Sequence, residues 1–410
     1  MKVSPPTRRH VHRTSLASAA VVALVSVTGC TASSPAPHES GRESTAAPGA
    51  ASDEPRQAAT PVTFEHNVDT RVVSVDTRVT VEATGGTIED VQLTRGAEQA
   101  VAGTLDDDAT TWTAGQLLEP GKTYRLVTTG VSDSGRPQRR SERFRTEDLT
   151  LDQQTYPSVA PLDGATVGVG MPVIVTFDIP VEDRAAAERH LDVTSTPRVK
   201  GTWHWLSDTE VHFRPRRYWP AGAEVHLEAD LNSVDVGGGI YGQESRSVDF
   251  TVGRSVVSRV DLDSHTMKVF IDGTLARTIP VTGGKPGFVT RSGVKVIMEK
   301  FESKRMDAAT TGIDPGHPEY YNLSNVQYAM RETYSGEFIH AAPWSVGSQG
   351  SANVSHGCIG MSPEDAAWLF SRSSVGDIVV VTGTDRELED GNGWTDWNVS
   401  WSEYRQGSAL

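Results

Sequence analysis

The residues best suited to chemistry lie in one stretch near the C-terminal end of the 410-residue chain, where His340, His356 and Cys358 occur close together. A thiol becomes a good nucleophile only as a thiolate, and a neighbouring imidazole that accepts its proton supplies that form near neutral pH. One residue separates His356 from Cys358, so both side chains would face the same way in an extended segment. His340 ends a strand-like run, and the loop over residues 341–354 would have to bring it next to Cys358. Spacing alone therefore leaves both histidines as candidates for the base.

The glycine before the cysteine favours acyl transfer. Gly357 lets the backbone approach a substrate closely, and the amides of Gly357 and Cys358 could form an oxyanion hole for a tetrahedral intermediate. A zinc site made of His340, His356 and Cys358 is an alternative, but it lacks a fourth ligand and its spacing matches no common zinc site. The residues thus favour nucleophilic catalysis by Cys358 with neither a metal nor an organic cofactor.

The N-terminus predicts export and a lipid anchor. A basic stretch is followed by an uncharged apolar run over residues 16–27, too short to span a bilayer comfortably and typical of a secretory signal. The run ends at Val27-Thr28-Gly29-Cys30, which resembles the lipobox of bacterial lipoproteins. We therefore expect residues 1–29 to be a signal peptide, Cys30 to be acylated, and the protein to lie on the extracytoplasmic face of the membrane.

Cysteine and charge counts narrow the function further. The chain has only 2 cysteines, so acylation of Cys30 would leave Cys358 as a free thiol in a compartment where cysteines usually pair. A disulfide between Cys30 and Cys358 is the alternative, but it is disfavoured because it would tie a flexible tether to the far end of the chain. Such a free thiol is either buried and inert or kept for chemistry. The net charge of -15 would repel a phosphate backbone, which excludes nucleic acid as a partner.

The region before the cysteine motif predicts a mainly β protein with several domains. Residues 30–60 are rich in Ser, Ala, Pro and Gly and predict a disordered tether. Residues 61–147 and 148–253 each contain short alternating stretches separated by Gly, Asp and Pro, which predict two immunoglobulin-like β-sandwich domains in tandem. Neither gathers a catalytic set of titratable residues, so we interpret both as spacers.

Residues 254–383 predict a β-rich catalytic domain. Runs over 260–271, 277–281, 294–298 and 377–381 predict strands, and Asp272-Gly273 predicts a type I′ hairpin turn. One helix is predicted just after Cys358, because Ser362 suits an N-cap and Pro363 the first helical position. Residues 384–410 contain Trp394, Trp397 and Trp401, which could offer glycan a stacking surface but are expected to pack on the catalytic domain.

The ordered block over residues 340–347, followed by Ser355-His356-Gly357-Cys358, resembles the catalytic motif of the L,D-transpeptidase (YkuD) family. The resemblance extends from about residue 256 to the C-terminus. Two immunoglobulin-like modules behind a lipobox are similar to the actinobacterial members. The family resemblance implies that Cys358 is the nucleophile, that His340 is its base, and that the Gly357 and Cys358 amides form the oxyanion hole.

The resemblance also implies the residues around the cleft. His356 and Ser355 would shape the site, and Gly360 would lie on the substrate side. Tyr321, with Tyr320 as the neighbouring alternative, would be the substrate-pocket tyrosine of a flap, with Met306 and Trp344 beside the same cleft. Two positions depart from the motif: Ala341 stands where Ser is frequent, and Gly360 stands where Asn is frequent. The second change would remove a side-chain hydrogen bond.

The implied reaction is the formation of 3→3 cross-links between peptidoglycan stem tetrapeptides. The thiolate would attack the third residue of a donor stem, release D-Ala and form a thioester, which an amine of an acceptor stem would then resolve. Hydrolysis of the thioester would instead make the protein an L,D-carboxypeptidase. Carbapenems are expected as covalent inhibitors, and a monomer is the expected state.

Two other classes of protein remain as alternatives. A structural lipoprotein that only binds peptidoglycan would need no thiol. A papain-like or NlpC-type peptidase would place its cysteine before its histidine, the reverse of the order found here.

Overall fold

The structure is a computed structural model that describes residues 60–68, 72–96 and 99–410. Residues Ala59–Leu410 form one compact unit. The predicted signal peptide, Cys30 and nearly all of the predicted tether lie outside the described residues. Strands dominate, and no helix in the described ranges is long and apolar enough to cross a membrane.

The first domain is a sandwich of two four-stranded sheets, with strand orders β1-β2-β6-β5 and β4-β3-β7-β8. Alternating side chains bury one face of each sheet, and Phe64, Leu93 and Trp112 contribute to the core. The strands are β1 (Thr63–His66), β2 (Thr80–Thr84), β3 (Gly86–Arg95), β4 (Gln99–Val101), β5 (Gly103–Leu105), β6 (Thr111–Ala114), β7 (Thr123–Ser132) and β8 (Pro137–Arg145).

The second domain is also a sandwich, with sheets β10-β12-β15-β14 and β11-β18-β16-β13 and a small ribbon of β17 with β9. Its core contains Trp203, Trp205 and Trp219. The elements are β9 (Gln154–Thr155), β10 (Pro157–Ala160), β11 (Thr166–Val167), β12 (Val173–Phe177), α1 (Arg184–Glu188), β13 (Leu191–Thr196), β14 (Gly201–Trp205), β15 (Glu210–Pro215), β16 (Glu224–Ala229), β17 (Tyr241–Gly242) and β18 (Arg246–Val252). The predicted fold class, two immunoglobulin-like sandwiches before a β-rich domain, is confirmed.

The third domain packs a five-stranded sheet, β21-β20-β19-β27-β22, against a four-stranded sheet, β23-β24-β25-β26. Val260, Met267, Met330, Ile339 and Ile359 are buried in the shared core. The elements are β19 (Val256–Asp261), β20 (Thr266–Ile271), β21 (Thr274–Pro280), β22 (Gly293–Val296), β23 (Glu299–Asp307), β24 (Asn322–Arg331), β25 (Phe338–Ala341), β26 (Ile359–Met361), α2 (Pro363–Phe370), β27 (Ile378–Thr382) and α3 (Trp401–Tyr404).

Two local predictions in this domain are confirmed. Asp272 and Gly273 join β20 to β21 with φ of 50° and 78°, the two positive values that a type I′ turn requires. Helix α2 begins after Ser362, whose hydroxyl oxygen accepts a hydrogen bond from the amide of Asp365 at 3.1 Å. The helix buries Ala366 and Leu369 against the core and lies directly after the strand that follows Cys358.

The C-terminal segment contacts two domains. It binds the third domain where the side chain of Asn398 exchanges hydrogen bonds with the backbone of Val294, at 2.7 and 2.8 Å. It continues over the second sandwich, where the indole of Trp397 donates to the carbonyl of Gly170 at 2.7 Å. The Arg214 guanidinium lies 4.7 Å from the Trp397 ring. The expectation that the tryptophans of this segment pack on the catalytic domain is corrected for Trp397 and Trp401, which lie over Arg214 of the second sandwich. Nothing local in the sequence shows that β15 presents buried polar groups that need partners.

Candidate active site

Two parallel neighbouring strands position the cysteine and one histidine. His340 lies in β25, paired with Gly360 of β26, and Cys358 directly precedes β26. The side chains flanking His340 in β25 are buried in the core and fix the strand, so the imidazole position is set by packing. His340, His356 and Cys358 all line one cavity of about 310 Å³, with His340 6% and Cys358 8% exposed.

The hydrogen bond of His340 decides which nitrogen can act as a base. Its Nδ1 lies 2.8 Å from the carbonyl oxygen of Ala341, and because a carbonyl only accepts, Nδ1 carries the proton. The Nε2 atom therefore holds the lone pair of the neutral ring. Burial lowers the pKa of His340, which favours that neutral form. Since the backbone of residue 341 orients the ring, an alanine side chain there leaves the orientation intact.

Cys358 rests as a neutral thiol. Burial raises its pKa to about 12, Glu337 and Glu332 add to the rise, and the backbone amide of Phe338 and Lys295 oppose it. The sulfur donates a weak hydrogen bond to the carbonyl of Gly336 at 3.8 Å. The thiolate therefore has to form as its proton is removed, rather than standing ready at neutral pH.

The turn before the cysteine is held from two sides. Ser355 Oγ donates to the carbonyl of Cys358 at 2.6 Å and accepts from the amide of Gly357 at 3.1 Å. On the other side, buried Thr290 donates to the carbonyl of Gly357 at 2.8 Å. Gly357 has a φ of +121°, a conformation that favours glycine. Thr290 was missed by the sequence analysis because it lies far upstream in a segment without a motif.

The same turn corrects one expectation. The amide of Gly357 donates into the turn, to Ser355, so it does not offer its hydrogen to the cleft as the predicted oxyanion hole required. A substrate oxyanion would need that bond to break before Gly357 could donate to it. Of the two amides predicted to form the oxyanion hole, those of Gly357 and Cys358, the amide of Cys358 is therefore the one placed to donate to the oxyanion.

His356 is held by a residue that the sequence analysis did not single out. Its Nε2 lies 2.9 Å from a carboxylate oxygen of Glu319, which also pairs with Lys285. Hydrogen bonds from Lys285 and His356 lower the pKa of Glu319. The His356 ring packs 4.6 Å from Phe288 and 5.0 Å from Tyr321, centroid to centroid. With this nitrogen engaged, His356 is worse placed than His340 to accept the thiol proton.

The remaining predicted residues surround the cavity. Tyr321, rather than Tyr320, lines it together with buried Met306, and burial raises the pKa of Tyr321 to about 12. Trp344 is 58% exposed at the rim, with its ring 5.8 Å from that of His340.

Gly360 forms part of the floor of the cavity. A Cβ atom at this position would lie 2.9 Å from that of Ala342 and 3.0 Å from a methyl group of Thr282. A larger residue would require both neighbours to move, so the packing around β26 explains a glycine where the motif frequently carries asparagine.

Comparisons with known proteins show which proteins the chain is similar to. Residues 255–381 match the L,D-transpeptidase catalytic domain, and residues 70–235 match a bacterial Ig domain. L,D-transpeptidase 2 of Mycobacterium tuberculosis is 34% identical over 338 residues, which cover 82% of this chain and 82% of that protein. L,D-transpeptidase 5 of the same species is 36% identical over 341 residues, 81% of this chain and 73% of the relative.

Solved structures include an L,D-transpeptidase from Mycobacterium smegmatis, 40% identical, which covers 56% of this chain and 99% of that chain with a TM-score of 0.46. Another is an LD transpeptidase in complex with imipenem, which is 37% identical. The match covers 56% of this chain and 99% of that chain, with a TM-score of 0.49. The long match to L,D-transpeptidase 2 includes both the sandwich region and the catalytic region. The chain therefore belongs to the L,D-transpeptidase family.

Proposed function

We propose that this protein is a peptidoglycan L,D-transpeptidase that forms 3→3 cross-links through a thioester on Cys358. The observation that carries the proposal is the joint placement of the Cys358 thiol and the His340 imidazole in one buried cleft, with the Nδ1 proton of His340 directed to a backbone carbonyl. This leaves Nε2 as the acceptor for the thiol proton.

In the first half-reaction, Nε2 of His340 takes the thiol proton and the sulfur attacks the carbonyl carbon of the third residue of a donor stem. The amide of Cys358 stabilises the oxyanion of the tetrahedral intermediate. The intermediate collapses by breaking the C–N bond to D-Ala, and the imidazolium returns its proton to the leaving amine. The products are free D-Ala and a thioester.

In the second half-reaction, the side-chain amine on the third residue of an acceptor stem attacks the thioester. His340 accepts a proton from that amine and returns it to the departing sulfur, which restores the thiol. Water would give hydrolysis instead, so exclusion of water matters. The cavity supports this because its exposed lining is mainly apolar, with Met306, Tyr321 and Leu323 on one wall.

The predicted anchor belongs to the same proposal. Acylation of Cys30 would hold the protein at the extracytoplasmic face of the membrane, where stem peptides are found. The two sandwiches would then lie between the anchor and the catalytic domain along the chain.

The test is incubation of the chain carrying Cys30→Ala with a disaccharide-tetrapeptide, followed by intact mass spectrometry of the products. A dimer lighter than two substrates by one D-Ala, absent from a matched Cys358→Ala variant, is the expected result. Release of D-Ala without dimer would assign the protein as an L,D-carboxypeptidase. No reaction, and no covalent adduct with a carbapenem, would favour a structural peptidoglycan-binding lipoprotein.

A further inference from the structure

A cluster of buried charges lies beneath the nucleophile and takes no part in the mechanism above. Lys295 of β22 is 0% exposed, Glu332 directly after β24 is 1% exposed, and Glu337 directly before β25 is 4% exposed. The two glutamates face each other across the mouth of the β24–β25 hairpin, where the amide of Glu332 donates to the carbonyl of Glu337 at 3.0 Å. Buried ionisable groups at such density are costly unless each is paired.

Glu337 is fully paired. Its carboxylate accepts hydrogen bonds from Lys295 Nζ at 2.6 Å and from Nη1 and the backbone amide of Arg291 at 2.9 and 3.2 Å. The same carboxylate lies behind the nucleophile turn, 3.5 Å from the point where a Cβ atom of Gly357 would be. Glu337 therefore couples the cluster to the backbone that carries Cys358.

Glu332 is not paired in this way. Within the described ranges neither of its carboxylate oxygens has a hydrogen-bond partner, and Lys295 Nζ lies 3.7 Å away, already bonded to Glu337. A buried carboxylate without donors is poorly stabilised as an anion. Burial, with a smaller contribution from Glu337, raises the pKa of Glu332 to about 7 against the opposing effect of Lys295.

The proton on Glu332 changes the net charge of the cluster. With Glu332 protonated, Lys295 balances Glu337; without that proton, one negative charge is left unbalanced. Arg291 does not supply the balance, since it pairs with Glu389 of the C-terminal segment as well as with Glu337. The sulfur of Cys358 lies 3.8 Å from the carbonyl oxygen of Gly336, in the loop between the two glutamates, and both glutamates raise the pKa of the thiol.

We propose that Glu332 is a positioning residue that acts through Lys295 and Glu337, and that its proton sets how readily Cys358 ionises. An unprotonated Glu332 opposes formation of the thiolate, and a protonated or neutral residue at this position eases it. The groups that face Glu332 from the neighbouring elements are Lys295 of β22 and Glu337, directly before β25, with Arg291 beyond Glu337 and His340 and Cys358 in the cleft. The inference rests on the proposed role of Cys358 as the nucleophile.

The test measures thiol ionisation without peptidoglycan, so its outcome is independent of whether the chain cross-links stems. In a Cys30→Ala background Cys358 is the only cysteine, and its alkylation by iodoacetamide is followed by intact mass across the pH range. At about pH 5, where wild-type Glu332 keeps its proton, Glu332→Gln is expected to react at the wild-type rate. Above about pH 8 it is expected to react roughly three- to tenfold faster.

The matched control is Glu299→Gln, which removes a half-exposed carboxylate of β23 that pairs with Arg331 at 2.9 Å. It is expected to keep the wild-type profile. Glu332→Met is also uncharged but has no side-chain amide. If the charge of Glu332 is what matters, its alkylation rate has to depend on pH in the same way as that of Glu332→Gln. Thermal melting verifies that each variant is folded. A rate ratio to wild type that stays constant with pH in folded Glu332→Gln or Glu332→Met would overturn the proposal.

Discussion

The contact between the C-terminal segment and the second sandwich allows a quantitative prediction. His212 of β15 is 1% exposed, and its Nδ1 lies 3.0 and 3.1 Å from the two carboxylate oxygens of Asp396. Its Nε2 lies 2.8 Å from Glu210, and the hydroxyl of Tyr404 donates to Asp396 at 2.8 Å. Burial opposes the charge on the imidazole, but Asp396 and Glu210 outweigh it and raise the pKa of His212 to about 9.

The pKa shift fixes the sign and size of the effect on stability. A histidine whose pKa rises on folding from 6.5 to about 9 contributes about 3 kcal/mol to the free energy of unfolding. That contribution is complete below pH 6.5 and is lost as the pH rises through about 9. Asp396→Asn removes the main charge partner, so it should lower the free energy of unfolding by roughly 3 kcal/mol at about pH 6 and by much less at about pH 10.

The assay is urea unfolding followed by tryptophan fluorescence, since Trp397 and Trp401 both lie over the Arg214 guanidinium at this contact. The matched control is Asp249→Asn, because Asp249 is 78% exposed by its side chain and pairs with His226 at the similar distance of 2.9 Å. An exposed pair of this kind is worth less than about 1 kcal/mol. An equal loss for Asp396→Asn at both pH values, or an equal loss in the control, would refute the reasoning.

Three further predictions concern the active site. His340→Gln should slow acylation by a carbapenem by roughly 10²- to 10⁴-fold, while His356→Gln should retain more activity. The rates are measured by stopped-flow, and a slower acylation of His356→Gln than of His340→Gln would make His356 the base. Thr290→Val removes the hydrogen bond to the carbonyl of Gly357 and should reduce acylation by about tenfold at unchanged carbapenem affinity, with Thr290→Ser as the rescuing control. Gly357→Ala places a side chain at positive φ and should cost about 1–3 kcal/mol of unfolding free energy, measured by urea denaturation; an unchanged value would show that the turn tolerates L-residues.

Local patterns account for the parts of the fold that the sequence could predict. The hairpin turn at Asp272 and Gly273 and the cap at Ser362 depend on residues within a few positions of one another, so their chemistry is visible in the sequence. The alternating run that became β20 buries one face against a core, and that periodicity is also local.

The rest of the site depends on partners that are distant in sequence. Nothing in the sequence around Thr290 indicates that its hydroxyl holds Gly357, and nothing around Glu319 indicates that its carboxylate binds His356. Lys295 would be taken for a surface residue of an exposed strand face, yet it is fully buried between carboxylates. Such pairs form only once the sheets have set their register, so periodicity and motifs cannot reveal them.

The pairing of β19 with β27 has a consequence for the order in which the protein folds. These strands are parallel neighbours, with Val257 beside Ile378, although one opens the catalytic domain and the other nearly closes it. Closing so long a loop costs chain entropy before any contact compensates for it, and topologies rich in such contacts fold slowly. During synthesis from the N-terminus, both sandwiches can complete their sheets first. The catalytic sheet can form only after residue 382 has been synthesised, so the site around Cys358 takes its final structure in the last part of folding.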